Sequence, residues 1–465
     1  MADAAGQATN PTATLRSRRF LVLLVFAASV GVVVSLAAWG FLELVHQIQV
    51  GVFTDLPKDL GYDSTPRWWS LPVLAIAGVI VAFAIVRLPG TGGHSPAHGL
   101  QMAPTKPIEL PGVILAGLAG IGLGVVIGPE APLIALGGGL GALSVQLIRR
   151  DTPAEVGAVL AASGAFAALS LIFDSPLIAA VILIEASGLG GERLPVVLLP
   201  GMLAAGIGSL ISIGMGSWTG LSTSAYSLGA LPLPHFARPD AADFGWTIAL
   251  ALAVAVGAVL IFRFAVTAER IVAPRPFLFL PAIGLAVAGL AIAFSYAADK
   301  SVNEVLFSGQ DQLPGLVSGA AGWSLSALAL LIGFKGLAWG LSLSGFRGGP
   351  TFPALFLGAA GGLMAARLPG FEVTPAVAVA LGAAVASVLR LPLSAVVLAV
   401  LLTSSSGPGA TPLVIVGVVT AYLATLAISG RHPAEPTGDG EQRPGDAEAG
   451  TGAQRAERPG VAVSG

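Results

Sequence analysis

Few residues in this chain could do chemistry, and Glu130 occupies the most unusual place among them. It lies in Gly128-Pro129-Glu130-Ala131-Pro132, within the run GVVIGPEAPLIALGG at 124–138, with aliphatic residues on both sides. Glycine and proline in this order mark a helix start. The first-turn N–H groups of a helix have no intrahelical partner and carry the positive end of its dipole, so an anion fits there. The carboxylate of Glu130 fits the same spot and would compete with a dissolved anion until a proton neutralises it. Such a residue is a gate and a proton acceptor at once. The alternative is an acid that caps a helix dipole in a solvated loop. That alternative accounts poorly for a charge retained between apolar runs, at a cost of about 2.5–3.5 kcal/mol.

The pattern recurs. GPTFPALFLGA, from Gly349, repeats GPEAPLIALGG, from Gly128, with Thr351 where Glu130 stood. Gly128, Pro129 and Ala131 in the first copy, and Gly349, Pro350, Thr351 and Phe352 in the second, are therefore candidate anion-binding residues. In the second copy the donors would be neutral backbone N–H groups. The competing reading is that Gly-Gly-Pro only lets helices pack closely. A third glycine-rich break, LPGTGGHSPAHGLQ, offers Gly92 and Gly93 as N–H donors and Ser95 as a hydroxyl. His94 and His98 there lack an acidic or thiolate third ligand, so they read as loop or helix-start histidines, and neither a metal nor a cofactor is expected. Glu185, closing PLIAAVILIE, is a candidate inner proton relay or an interface residue. Lys335 in LIGFKGLAW is open between a buried ion pair and a broad attractive field for anions. Arg347 and Asp174 are further charges near membrane depth. No P-loop, GxSxG elbow or HExxH motif is present, and the chain does not read as an enzyme.

These residues need elements that hold them in a bilayer. Of 465 residues, 55% are hydrophobic and only 10% charged, which is too little polar surface for a soluble globule of this size. The net charge of −2 argues against nucleic acid as a partner, and the absence of cysteine removes disulfides and thiolate chemistry. Apolar spans are expected near 20–48, 70–88, 110–126, 130–148, 154–171, 176–188, 193–214, 246–268, 276–297, 323–344, 352–366, 374–388, 392–404 and 411–429. Several are too short to cross the bilayer alone, and the 62 glycines and 33 prolines fall heavily at their starts. Helices that begin inside the membrane are implied, and such breaks often build ion sites. Arg16, Arg18 and Arg19 before the first span place the N-terminus in the cytoplasm. Residues 1–19 then form a cytoplasmic segment, 20–430 the membrane domain, and 431–465, rich in Gly, Pro, Glu and Arg, a disordered tail.

A second repeat, SPLIAAVILIEAS from Ser175 against LPLSAVVLAVLLTS from Leu391, keeps the order of the first. Two homologous halves follow, at about 70–220 and 246–430. Broken helices at matching places favour an inverted arrangement with the site near mid-membrane. The expected fold is thus an all-α polytopic membrane protein of two inverted-topology repeats of broken and tilted helices.

Taken together, these motifs resemble the CLC family of chloride channels and chloride/proton antiporters over about residues 20–430. The family's Gly-Arg-Glu-Gly-Pro gate looks like Gly128-Pro129-Glu130-Ala131-Pro132. Its Gly-x-Phe-x-Pro start looks like Gly349-Pro350-Thr351-Phe352-Pro353, and its Phe-Asn-Ala-Pro-Leu start looks like Phe173-Asp174-Ser175-Pro176-Leu177. The resemblance implies a homodimer in the plasma membrane with one anion pathway per subunit, a chloride-like anion as cargo and protons as a possible second one. There are departures. The family's Gly-Ser-Gly-Ile-Pro loop is matched loosely by Gly92-Gly93-His94-Ser95-Pro96, with Gly93 in the serine's place and Ser95 as the neighbouring hydroxyl. Thr351 stands where the family has phenylalanine, with Phe352 one residue late. Ala186 stands where the inner proton-transfer glutamate is expected, with Glu185 one residue early. The pore tyrosine would fall near Pro433, and Tyr422 is the only late tyrosine. The expected function is channel-like or weakly proton-linked movement of a small inorganic anion, most simply chloride, gated by Glu130. The rivals are a secondary transporter for fluoride, nitrate or an organic anion on a different inverted repeat, and a membrane-embedded enzyme.

Overall fold

Proline and small polar residues set most of the helix starts. In the computed structural model, residues 15–101, 105–148, 153–188, 191, 194–220 and 228–430 are described, and the tail expected to be disordered, 431–465, lies outside them. Helix α1 (Arg18–Val50) begins where the Ser17 hydroxyl accepts the Phe20 N–H. It is followed by α2 (Ser70–Arg87), α3 (Leu110–Gly122), α4 (Glu130–Ile148), α5 (Ala154–Ile172), α6 (Pro176–Ser187) and α7 (Leu194–Thr219). The second half runs through α8 (Ala241–Val272), α9 (Pro276–Ala298), α10 (Leu325–Leu343), α11 (Thr351–Ala365), α12 (Val373–Leu389), α13 (Pro392–Leu402) and α14 (Thr411–Ser429). Pro176, Pro276 and Pro392 sit in first turns, where a missing N–H costs nothing. An Asp240–Asp243 capping box starts α8 at Ala241, five residues before the expected span. Helix α3 stops at Gly122, short of the expected 126, because Gly124 at φ +95° turns the chain toward Gly128.

Among the described residues, nine helices are long and apolar enough to cross a bilayer, and five apolar helices of 10–17 residues are too short to do so alone. The chain is a multi-pass helical membrane protein.

The packing repeats between halves. Helix α4 crosses α5 with Gly137 against the Gly164 carbonyl and Gly141 against the Leu160 carbonyl, so closely that a Cβ on either glycine would overlap backbone. Helix α11 crosses α12 in the same way, with Gly358 against the Ala380 carbonyl and Gly362 against Val377. Without a hydrophobic drive between helices in lipid, such close backbone approach supplies the packing energy. Helices α2 and α9 join the halves through a reciprocal crossing, Gly78 on Leu280 and Gly284 on Leu74.

Candidate functional site

The two glycine-proline helix starts meet. Gly128 N–H donates to the Gly349 carbonyl at 2.7 Å and Gly349 N–H donates to the Gly128 carbonyl at 2.6 Å, an isolated antiparallel bridge. This head-to-head meeting is what a two-fold axis in the membrane plane produces. Each helix closes its first turn identically, Leu133 N–H to Pro129 O and Ala354 N–H to Pro350 O. Pro132 and Pro353 lack N–H groups, so each start is left with two N–H groups ahead of its proline: those of Glu130 and Ala131 in α4, and of Thr351 and Phe352 in α11.

Glu130 is 1% exposed. The expectation put its carboxylate at its own helix start, but it crosses to the opposite one. The Phe352 N–H donates to Glu130 Oε1 at 3.0 Å, so the acid of the first half caps the helix of the second. The Glu130 N–H and Thr351 also lie close to the carboxylate, though by strict geometry neither Oε2 nor the buried Oγ1 of Thr351 has a hydrogen-bond partner among the described residues. Both Gly128 and Gly349 face the carboxylate, and a Cβ on either would overlap Oε2. Glycine is needed at both positions to leave room for the acid. Phe352 turns its ring onto Phe173, stacked at 5.7 Å between centroids.

Beside α4's first turn lies the third break. Thr91 and Gly90, Gly92 and Gly93 all take positive φ, which folds Gly92–Pro96 into a tight loop. A cavity of about 420 Å³ bordered by Gly93, His94, Ser95, Glu109 and Arg347 adjoins a chamber of about 20 Å³ that reaches Ala131 and Gly348. A chamber of that size holds roughly one water-sized particle. Ser95 Oγ borders both spaces, is buried and has no partner among the described residues. The structure thus brings Gly92, Gly93 and Ser95 to the same place as Ala131. Arg347, to which the sequence assigned no role, borders both spaces too. Its Nε donates to Thr91 O and its Nη1 to Gly345 O. The signals available were a charge near membrane depth and its position two residues before Gly349.

Other sequence candidates lie apart. Glu185 is half-buried at the end of α6. Its carboxylate accepts Leu393 N–H at 2.9 Å, Ser394 N–H at 2.7 Å and the Ser394 hydroxyl at 2.6 Å, capping α13. His98 Nε2 pairs with Glu269 Oε2 at 2.9 Å, and among the described residues no group of three or more potential metal ligands forms. Tyr422, on α14, packs against the main apolar core, and Pro433 lies outside the described residues.

The motifs have known counterparts. The model of the family described as voltage gated chloride channel matches residues 94–426. YfeO of Escherichia fergusonii, whose name refers to ion transport, is 30% identical over 355 residues, covering 75% of this chain and 80% of that protein. YfeO of Escherichia coli matches at the same level. A slow cyanobacterial Cl−/H+ antiporter shares the fold with a TM-score of 0.73 at 19% identity, over 88% of this chain and 95% of that one. A CLC-type fluoride/proton antiporter does so with a TM-score of 0.63 at 17% identity, over 87% and 95%.

Proposed function

The chain belongs to the voltage-gated chloride channel family, and we propose that Glu130 gates its transport of small inorganic anions, chloride first among them. One observation carries this reading: the buried carboxylate of Glu130 occupies the N-terminus of α11, held by the Phe352 N–H. A site that binds a carboxylate through neutral donors in a dry setting binds a dissolved anion by the same physics. Protonation of Glu130 removes its charge and frees the site, and the anion enters past Ser95 and the backbone of Gly92 and Gly93. Gly128, Pro129 and Ala131, with Gly349, Pro350, Thr351 and Phe352, frame the two starts.

The transport we infer is channel-like or weakly proton-coupled, since Ala186 stands where a second proton acceptor is expected and the Glu185 carboxylate is occupied as a helix cap. The molecule works as a homodimer in the cell membrane with Arg16, Arg18 and Arg19 on the cytoplasmic side. Because the chain has no cysteine, a single cysteine introduced near the N-terminus and labelled from one face tests that orientation.

The decisive experiment is anion efflux from liposomes holding the purified protein, across pH, with Glu130→Gln beside wild type. Wild-type flux rises as pH falls, and Glu130→Gln is pH-insensitive; an unchanged pH profile overturns the gate. Chloride, nitrate, fluoride and an organic anion as parallel cargoes test selectivity.

A further inference from the structure

Lys335 lies mid-way along α10 and is fully buried. The sequence left it between an ion pair and a field for anions, and the structure gives it no carboxylate: among the described residues no ion pair includes it. Its Nζ instead lies 2.9 Å from Glu304 O, 3.2 Å from Val305 O, 3.0 Å from Leu306 O and 3.3 Å from Phe307 O. It also sits 4.4 Å from the centre of the Phe356 ring. A neutral amine would turn its lone pair toward one of these oxygens, whereas an ammonium has only donors to offer. Consecutive carbonyls and an aromatic face are how a protein solvates a dehydrated monovalent cation. The charge is solvated here by backbone and ring, with no carboxylate in contact and Glu304 acting on it only at longer range.

Its surroundings lead to the gate. Phe356 is one helical turn from Phe352, whose N–H holds Glu130. Phe307, the last of the four carbonyl residues, donates its N–H to Gly124 O at 3.0 Å, on the segment that runs into Gly128. Two turns along α10 from Lys335, the Ser342 hydroxyl receives the Val126 N–H at 3.3 Å. One helical turn plus a ring puts Nζ on the order of 10 Å from the Glu130 carboxylate.

We propose that Lys335 is a tethered cation whose charge, held without a contacting carboxylate, sets the anion affinity of the α11 start and the pH at which Glu130 gives that start up. The pH part of this claim rests on the reading of Glu130 as the gate. Glu304, on the loop that cradles Nζ, is the carboxylate that feels this charge electrostatically. Other charged groups on the segments around Glu130 and Lys335 are Arg347 with Glu269 acting on it electrostatically, Asp174 beside Phe173, His94 in the Gly92–Pro96 loop, and Asp311 on the loop that carries Phe307. Of these, Arg347 has its own carbonyls. Unit charges 10 Å apart in a partly dry protein interact by about one pH unit's worth of free energy. A positive charge favours the ionised carboxylate and the bound anion, so losing it moves the gate's pH midpoint up and weakens the anion.

The test is chloride efflux from liposomes, titrated in both pH and chloride, with Lys335→Gln, Lys335→Arg and Glu304→Gln in the full chain. Lys335→Gln keeps N–H donors and drops the charge; its midpoint rises by about one unit and its KM for chloride by about tenfold. Lys335→Arg keeps the charge and stays near wild type in both. Glu304→Gln removes a negative charge and shifts both quantities the opposite way, and it decides the matter alone if Lys335→Gln does not fold. An unmoved KM and midpoint in folded Lys335→Gln, or a Glu304→Gln shift of the same sign, overturns the proposal. The double variant Glu130→Gln with Lys335→Gln separates the two claims. If Glu130→Gln alone keeps a pH profile, the gate reading fails, while the KM effect still tests Lys335.

Discussion

The two halves of the molecule share one backbone plan and differ in who supplies the acids. In the first half Glu130 opens α4 and Glu185 closes α6, and each carboxylate reaches across to cap a helix of the second half, α11 and α13. At the corresponding positions the second half has Thr351 and Leu401, and it offers N–H groups in return. The difference teaches that repetition builds the cradle and its breaking builds the device. Two symmetric starts would make either an open anion site or a pair of carboxylates facing each other across Gly128 and Gly349, with like-charge repulsion.

The strongest way to break this asymmetry is to move the acid to the other side. Glu130→Thr alone should flatten the pH profile and raise alkaline efflux by about 10–100-fold, the equivalent of a charge-assisted hydrogen bond of about 1.5–3 kcal/mol no longer competing with the anion. Adding Thr351→Glu should restore pH-dependent efflux from the opposite start; failure to restore it would mean that the halves are not interchangeable at this point. Next, Gly349→Ala places a Cβ where Oε2 sits. Efflux should fall by about tenfold or more while the protein still folds, checked by size-exclusion profile beside the flux assay. Glu185→Gln should lower thermal stability by about 1–2 kcal/mol, read in a detergent melting series, because two backbone donors of α13 lose a charged acceptor. Its pH midpoint should stay in place, whereas a proton relay would move it. The smallest effect belongs to Ser95→Ala, which should raise the KM for chloride by about threefold by removing one hydroxyl from the proposed pathway.

Much of this was legible in advance, for reasons tied to particular residues. Proline in a first turn and glycine before it announce a helix start, so GPEAP and GGPTFP were readable as starts, and their common pattern as a repeat. Ser95 was readable as the hydroxyl nearest the expected donor position, and its Oγ is one of several buried hydroxyls without a partner among the described residues. Which helix an acid caps was not readable, since the partner lies more than 200 residues away in sequence and is chosen by how the halves dock. Glu185 stayed open between a relay and an interface residue for the same reason: nothing local shows that the start of α13 is brought against its carboxylate. Lys335 suggested an ion pair because carboxylates are the usual partners of buried lysine, and nothing local shows that carbonyls 28–31 residues away converge on it.

By itself the sequence determined that the chain lives in a bilayer, that its helices break at paired glycine-proline starts, and that one of two matching starts carries an acid. These follow from hydropathy, from proline's missing N–H and from residue identity, which are all local properties. Only the tertiary structure decided that the starts meet at Gly128 and Gly349, that Glu130 reaches across to cap α11, and that Lys335 is solvated by backbone. Those are outcomes of packing, because a buried charge is satisfied by whichever dipoles the fold brings within about 3 Å, wherever they stand in the chain.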